Sequence, residues 1–353
     1  MKPNITLSQL SHLGVTSADL ARILDDHEEL VTNYMEKAVK HTCGNVLGVG
    51  VTTLAHPDNS ADSLAFLLLV DRLDDAARQR LPINSTAGYP IVLEEVGAIN
   101  ALGQSEWSTR EQTQALEAIQ GFQGKYRPVT CGVSIAPSTK GYSGTLGCQV
   151  TSNNIKYMLS NNHVLADCNS VPLGTTITQP SQEDGGIVPA DVVAALSYYV
   201  PLAAPGGNAP VDAAIAAYDN NIQVDARIER TDGTVEKMVS PVTAPVTKMD
   251  VQKSGRTTGV TKGKVVAIGL TVATNYAGYG IVTILNAFSV KHVSGHFSLP
   301  GDSGSVITTA PKNNPVGLLF ASDSGNKTTF ANTMQDVLAQ LALSTGHAVN
   351  IVY

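Results

Sequence analysis

The chain has 353 residues, a formal net charge of −7 and 43% hydrophobic residues, and only 15% of its residues are charged. This length predicts two or three domains, each with an apolar core. The acidic balance argues against a nucleic-acid-binding protein, because phosphate contacts need Lys/Arg clusters and the sequence shows none. The longest apolar run, residues 64–70, is too short to cross a bilayer.

The first residues, MKPNITLSQL, lack the basic start and the apolar stretch that mark a secretory signal. We therefore expect a cytoplasmic protein with reduced cysteines, because the cytosol keeps thiols from pairing. The cysteines are Cys43, Cys131, Cys148 and Cys168. No two of them have the spacing of a metal site, so neither a metal nor another cofactor is predicted.

Residues 1–104 predict a small α/β domain with the element order α-β-β-α-β, which we interpret as a regulatory or recruitment domain. An amphipathic helix begins near Thr16, and the strands NVLGVGVTTL and SLAFLLLV follow it. A short helix, DDAARQRL, and the strand YPIVLEEVGAI complete the domain. Gly48 and Gly50 lack the third glycine of a dinucleotide fingerprint, which favours close strand packing over nucleotide binding.

Residues 105–127 predict a connecting helix, with Ser108 and Glu111 in capping-box spacing, and then a linker. In residues 128–353, short β segments alternate with turns, which is typical of an all-β barrel or sandwich. A last helix closes the chain, and its apolar face holds Met334, Val337, Leu338 and Leu341. The predicted fold class is therefore multidomain α+β.

Ser303 stands in the segment FSLPGDSGSVITT, residues 297–309. A serine nucleophile needs a base, a group that orients the base, and N–H donors for the oxyanion. Gly301 allows a backbone turn in which its own N–H and that of Ser303 converge on one point. Since a G-D-S-G segment also occurs in ordinary turns, the partners of Ser303 decide its meaning.

His163 is the predicted base, because it follows an apolar strand in YMLSNNHVLADC and so lies at a strand end. His292 and His296 are nearer to Ser303 in sequence, and His296 suits a pocket wall or a satisfied loop position. The predicted orienting carboxylate is Asp212 in APVDAAIAAYD, since an acid between apolar residues needs a buried partner. Its rivals are Asp191 and Asp219.

Together, the segments LSNNHVLAD, VDAAIA and PGDSGS resemble the chymotrypsin/trypsin-like serine peptidases of bacterial type, in the family's chain order His, Asp, Ser. The resemblance covers residues 128–345, and KSGRTTGVTKGKV, residues 253–265, is similar to the opening hairpin of the second barrel. It implies two β-barrels and a closing helix. It also implies that Ser303 is the nucleophile, that His163 is the general base and then the general acid, and that Asp212 orients His163. The implied oxyanion-hole donors are the N–H groups of Gly301 and Ser303.

The chain departs from this family in two features. Digestive members become active when a new N-terminal amine pairs with the aspartate before the serine, here Asp302. Asp302 must then either pair with another group or wait for cleavage near residues 125–145. Many bacterial members dispense with that switch, which favours a constitutively formed site. The spacing of Cys148 and Cys168 is longer than that of the family's histidine-loop disulfide, so the sequence leaves this bond open.

The resemblance also implies a substrate pocket, formed by Phe297, Ser298, Phe320 and Ser322. Phe297 stands where trypsin has an acidic residue, and Leu319 stands where glutamate-specific bacterial members have a histidine. Both favour an apolar or small side chain before the scissile bond. Asp323 at the rim leaves a basic preference open.

We therefore predict a serine endopeptidase that hydrolyses a protein substrate through an acyl-enzyme, in a selective or regulatory role. One alternative is a catalytically retired binding module with this fold, although the intact triad positions argue against it. The other is a self-cleaving protein that cuts its own linker and releases its N-terminal domain. The expected partner is a protein or peptide substrate, not a nucleic acid or a membrane, and the oligomeric state stays open.

Overall fold

The computed structural model describes residues 2–36, 46–55, 62–102, 121–292 and 295–353. Two sheets that curl into barrels dominate these residues, with few helices, which confirms the predicted fold class. The connecting helix predicted to begin at Ser108 lies outside the described residues, and so does Cys43. The boundaries predicted at residues 104 and 127 stay a prediction. No helix in the described ranges is both long and apolar enough to span a membrane.

Within the described ranges, the α-helices are α1 (Leu7–Leu10), α2 (Ser17–Leu30), α3 (Asp75–Arg80), α4 (Asn162–Leu165) and α5 (Met334–Thr345). The same ranges also contain a π-helix, Val31–Glu36, and the 3-10 helices Ser11–Leu13 and Gln182–Asp184. Helix α2 begins after Thr16, whose hydroxyl accepts the N–H of Asp19, as the capping pattern predicts. The predicted apolar face of α5 is also present, since Met334, Val337 and Leu341 are buried.

The strands of the described residues are β1 (Val46–Leu54), β2 (Ser63–Val70), β3 (Ile91–Glu95), β4 (Ile99–Ala101), β5 (Val129–Cys131), β6 (Ser134–Pro137), β7 (Gly144–Thr145), β8 (Cys148–Ser152), β9 (Ile155–Ser160), β10 (Thr176–Thr178), β11 (Val192–Tyr199), β12 (Asn208–Ala209), β13 (Ala214–Tyr218), β14 (Val224–Glu229), β15 (Val235–Glu236), β16 (Asp250–Gly255), β17 (Gly259–Tyr276), β18 (Gly280–His292), β19 (Val306–Thr309), β20 (Pro315–Asp323), β21 (Thr328–Thr333) and β22 (Val349–Ile351). A third, small sheet has the order β15-β14-β5, and its side chains Val129, Cys131 and Ile228 pack into the apolar core of the eight-stranded sheet.

The first barrel is an eight-stranded sheet with the order β22-β8-β9-β13-β11-β10-β6-β7. Its core contains buried side chains such as Met158, Leu159 and Leu196. In the antiparallel pair of β9 and β13, Ser160 lies opposite Ala214. The end of β9 and the start of β13 therefore lie side by side at one edge of this barrel.

The second barrel contains six antiparallel strands in the order β18-β21-β20-β19-β16-β17, and a further pairing of β17 with β18 closes it. Strand β17 is 18 residues long, so it pairs with β16 through its first part and continues beyond that partner. The turn before β19 faces the first barrel, because the Thr145 N–H donates to the Ser303 carbonyl at 2.8 Å.

The described N-terminal residues contain the predicted order α2-β1-β2-α3-β3, with α1 before it and β4 after it, and strands β1 to β3 extend the sheet of the second barrel. Strand β1 pairs antiparallel with the distal part of β17, for example Gly48 with Val272, and β2 and β3 follow at the edge. A Cβ at Gly50 would lie 2.5 Å from Leu270 Cδ2, which agrees with the close strand packing interpretation. One apolar cluster contains side chains from α2, β2 and the second barrel, so the two regions share a core.

Strand β4 leaves the N-terminal strands and pairs with two strands of the second barrel. Ala101 pairs with Ala321 of β20 in antiparallel fashion, and Asn100 pairs with Asn275 of β17 in parallel fashion. This short strand thus places the N-terminal region against β20. Its pairs run from Ala321, next to Phe320, to Asp323.

Candidate active site

Three elements bring the predicted triad residues to the junction of the barrels. His163 lies in α4, which follows β9, and Asp212 lies just before β13. The pairing of β9 with β13 sets these two residues side by side. Ser303 comes from the second barrel, in the turn before β19.

The Asp212 carboxylate holds His163 at two points. His163 Nδ1 lies 2.5 Å from Asp212 Oδ2, and the His163 backbone N–H donates to Asp212 Oδ1 at 3.1 Å. Both side chains are buried. A carboxylate that accepts from Nδ1–H leaves Nε2 as the basic atom, which is the tautomer that a general base needs.

The rival residues have other partners or positions. Asp191 forms an ion pair with Lys125, with 2.5 Å between Nζ and Oδ1, and Asp219 accepts a backbone N–H of its own turn at 2.8 Å. His292 is the last residue of β18. His296 Nδ1 lies 2.9 Å from a backbone carbonyl oxygen in the turn before β21, so this histidine is a satisfied loop residue.

The turn around Ser303 has the backbone conformation that its glycines predict. Gly301 and Gly304 have φ angles of +96° and +90°, in the left-handed region that favours glycine. The hydroxyl of Thr145, from the first barrel, donates to the Gly301 carbonyl at 2.8 Å. The Gly301 N–H donates to the carbonyl of Leu102 at 2.7 Å, so this predicted oxyanion donor already holds a carbonyl oxygen. The role of the Ser303 N–H stays a prediction.

The Ser303 hydroxyl donates to the carbonyl oxygen of Phe320 at 3.2 Å. His163 Nε2 is buried, and it has no hydrogen-bond partner among the residues that the structure describes. The exposed fractions of Ser303 and His163 are 0% and 1%. A buried polar atom without a partner destabilises the fold. We therefore expect Nε2 to accept a hydrogen bond in another conformation of the site.

Asp302 pairs with the buried amine of Lys253. Lys253 Nζ lies 3.3 Å from Asp302 Oδ2, and neither side chain has exposed surface. The carboxylate also accepts the N–H groups of Thr257 at 2.9 Å and Leu299 at 3.0 Å. Burial lowers the pKa of Lys253, and the charge of Asp302 opposes that shift. This network holds the turn before Ser303 without a new N-terminal amine.

Sequence reasoning missed three residues around Asp212. The Asp212 N–H donates to Asn332 Oδ1 in β21 at 2.9 Å, and Asn161 Nδ2 donates to the Asp212 carbonyl at 2.8 Å. The rings of Tyr276 and His163 pack against each other in a T-shaped arrangement, with 5.8 Å between ring centroids. Burial, and then the charge of Asp212, raise the pKa of the Tyr276 hydroxyl far above its usual value, so it stays protonated. Asn161 lies in the same segment as His163, whereas no local signal marks Asn332 or Tyr276.

The residues predicted for the substrate pocket are all buried: Phe297, Ser298, Phe320 and Ser322. Phe297 belongs to the apolar cluster that contains Leu102, whereas the Phe320 side chain belongs to another cluster, with Ile99 and Tyr276. The Asp323 carboxylate accepts two backbone N–H groups of residues 327 and 328, and burial raises its pKa. Both hydrogen bonds go to Oδ1, which is therefore engaged in a turn of the chain itself.

Cys131, Cys148 and Cys168 are buried free thiols. Cys148 belongs to the core of the first barrel, and Cys168 belongs to the cluster that contains Tyr276. The histidine-loop disulfide that the sequence left open is therefore not formed. Burial raises the pKa of Cys148 to about 12, so this thiol is neutral at physiological pH.

The structure is similar to those of several solved serine proteases. A glutamic-acid-specific serine protease that uses a histidine triad in substrate binding matches with 19% identity and a TM-score of 0.47, over 64% of this chain and 100% of that chain. A Nocardiopsis protease, NAPase, matches with 16% identity and a TM-score of 0.45, over 64% and 99% of the two chains. Thermobifida fusca protease A matches with 18% identity and a TM-score of 0.44, over 64% and 98%.

No protein-family model matches the sequence, and no curated protein matches it. Identities this low carry no information about substrate or activity, so the chemical assignment depends on the geometry of the site.

Proposed function

We propose that the chain is a serine endopeptidase in which Ser303 is the nucleophile, His163 the general base and Asp212 the orienting carboxylate. The observation that carries the proposal is the buried contact of His163 with Asp212, which leaves Nε2 without a hydrogen-bond partner in the described part of the chain. Ser303 lies on a glycine turn whose Gly301 N–H already binds a carbonyl oxygen.

In the proposed reaction, His163 Nε2 takes the proton of the Ser303 hydroxyl while Oγ attacks the carbonyl carbon of a peptide bond. The Gly301 N–H stabilises the negative charge that develops on the carbonyl oxygen. The imidazolium, held by Asp212, then gives its proton to the leaving amine, which breaks the C–N bond. A water molecule, deprotonated by His163, hydrolyses the acyl-enzyme and restores Ser303.

The substrate in this proposal is a protein or peptide with an apolar or small side chain before the scissile bond. Phe297 is buried in an apolar cluster and brings no charge to the pocket, which supports this preference. Asp323 is buried and its Oδ1 accepts two backbone N–H groups, which disfavours a basic side chain in the pocket. The three buried free thiols support the predicted cytoplasmic location, since oxidising compartments favour disulfides.

Of the two alternatives, self-cleavage gains a specific observation. The Leu102 carbonyl of the chain itself lies on the Gly301 N–H, where the carbonyl of a substrate would bind. His163 argues against the retired binding module. Its buried Nε2 has no hydrogen-bond partner among the described residues, and a protein that only binds would gain nothing from the cost of leaving this atom unpaired.

Labelling with a fluorophosphonate tests the proposal, because this probe reacts only with an activated serine. We expect an adduct on Ser303 in the wild-type chain, none on Ser303→Ala, and a very slow reaction on His163→Ala. The same probe is applied to Leu102→Asp, in which we expect the carboxylate to leave the apolar cluster and so to free the Gly301 N–H. If neither the wild type nor Leu102→Asp forms an adduct, the endopeptidase proposal is wrong.

A further inference from the structure

Residues 99–102 lie against the nucleophile in the manner of a bound peptide substrate. The Leu102 N–H donates to the Phe320 carbonyl at 3.2 Å, and the Leu102 carbonyl accepts the Gly301 N–H at 2.7 Å. Upstream, Ala101 pairs with Ala321 in an antiparallel ladder. Peptide ligands that add a strand to a sheet edge are held by such main-chain bonds, while their side chains give specificity.

The side chains of this segment are taken up by their surroundings. Leu102 is 4% exposed, in the apolar cluster that contains Phe297, the predicted pocket residue. Ile99 is 2% exposed, in the cluster that contains Tyr276. Between them, Asn100 Oδ1 accepts a hydrogen bond from Asn275 Nδ2 at 3.0 Å. Backbone and side chains thus fix the register, with Leu102 on the oxyanion donor.

We propose that the chain cleaves its own peptide bond between Leu102 and Gly103, an inference that rests on the proposed function. Ser303 Oγ bonds to the Leu102 carbonyl carbon, and the proton of its hydroxyl passes through His163 Nε2 to the departing amine of Gly103. Water then hydrolyses the Leu102 ester. The products are residues 1–102, which end in a new carboxylate, and residues 103–353, which begin with a new amine.

After cleavage, the N-terminal product remains bound and blocks the site. Strand β1 stays paired with β17, and the two regions share an apolar cluster that holds Leu102 and Phe297. Because Ser303 has no exposed surface beneath this segment, another substrate reaches it only when the segment leaves. The sequence of this segment also indicates the substrate class, which is a peptide with leucine before the scissile bond and alanine before the leucine.

The test measures intact masses of four purified full-length chains over time. They are the wild type, Ser303→Ala, Leu102→Asp and a matched control, Leu343→Asp, whose leucine is 76% exposed. We expect the wild type and Leu343→Asp to give fragments that end at Leu102 and begin at Gly103. Ser303→Ala stays whole, and Leu102→Asp loses at least tenfold in rate, because a carboxylate is excluded from the apolar pocket.

Fluorophosphonate labelling of the same chains separates this inference from the proposed function. We expect Leu102→Asp to label at least tenfold faster than the wild type and than Leu343→Asp, since its site is vacated. Cleavage after Leu102 in Ser303→Ala at the wild-type rate would overturn self-cleavage. A wild type that stays whole, yet labels on Ser303 as fast as Leu102→Asp, would overturn the inference and leave the endopeptidase intact. No label on either chain rejects the endopeptidase itself.

Discussion

Asp212 accepts two hydrogen bonds from His163, one from the ring and one from the backbone. In Asp212→Asn, the amide that faces the ring donates instead of accepting, which stabilises the wrong imidazole tautomer. We expect the rate of the chemical step to fall on the order of 10⁴-fold while the fold is kept. Asp191→Asn is the control and should leave the rate unchanged, because this buried carboxylate pairs with Lys125 and not with His163. Both substitutions are introduced into the Leu102→Asp chain, and the rate is that of hydrolysis of a peptide substrate that ends in leucine p-nitroanilide.

Lys253 and Asp302 form a buried ion pair next to the turn that carries Ser303. Lys253→Met leaves Asp302 charged and unpaired, so we expect a loss of about 3–5 kcal/mol in the free energy of unfolding. Lys264→Met removes an exposed pair with Asp250 and should cost less than about 1 kcal/mol. Urea denaturation of both variants in the Ser303→Ala background measures the two losses. Equal losses would show that the buried pair does not stabilise this turn.

Single residues differ in how far the sequence reveals them. Ser303, His163 and Asp212 lie in segments whose local pattern carries a chemical meaning, so they could be named before the fold was known. Asn332 contacts Asp212 from 120 residues further along the chain. The contact exists only after the barrels assemble, and a local pattern therefore cannot predict it.

At the scale of elements, helix α2 is attached to β1 through a buried histidine. His27 Nε2 lies 3.1 Å from the Val49 carbonyl oxygen, and the side chain has no exposed surface. Burial lowers the pKa of His27 to about 4. The neutral ring is thus part of the contact between the helix and the N-terminal strands.

This depressed pKa predicts that the N-terminal region loosens in acid. The unfolded chain takes up the His27 proton near pH 6.5, whereas the folded chain resists protonation down to about pH 4. The stabilisation is therefore complete above pH 6.5 and is lost as the pH falls through this window. Between pH 7.5 and 5, we expect a loss of about 2 kcal/mol in the local opening free energy of β2.

Hydrogen exchange of the β2 amides in Ser303→Ala measures this loss. His27→Leu should remove most of the pH dependence, and His347→Leu, at an exposed position, should retain it. Protection that does not change between the two pH values would contradict the assignment to His27.

The order of the N-terminal elements was predictable, because each helix and strand has its own periodicity and its own boundary signals. Their partners were not. Gly48 of β1 pairs with Val272 of β17, and no pattern near either residue specifies the other. The apolar character of β1 and β2 indicates that both of their faces are buried, but it does not predict which other elements pack against them.

At the scale of the whole molecule, the N-terminal region is joined to the second barrel twice. Its strands continue the sheet through β1 and β17, and β4 pairs with β20, after which the Leu102 carbonyl accepts the Gly301 N–H. The sequence predicted both a peptidase and a self-cleaving alternative, yet it held no sign of where the chain would enter its own site. Leu102 acquires its meaning only from the Gly301 N–H, about two hundred residues later in the chain.

The most direct test of the account is hydrolysis of the peptide Ile-Asn-Ala-Leu-p-nitroanilide, which reproduces residues 99–102. The chains compared are Leu102→Asp, whose site is vacated, and the same chain with Ser303→Ala added. We expect hydrolysis by the first chain, competitive inhibition by the free peptide Ile-Asn-Ala-Leu, and a loss of several orders of magnitude in the second. Equal rates in the two chains, while the first still folds, would contradict the assignment of Ser303 as the nucleophile.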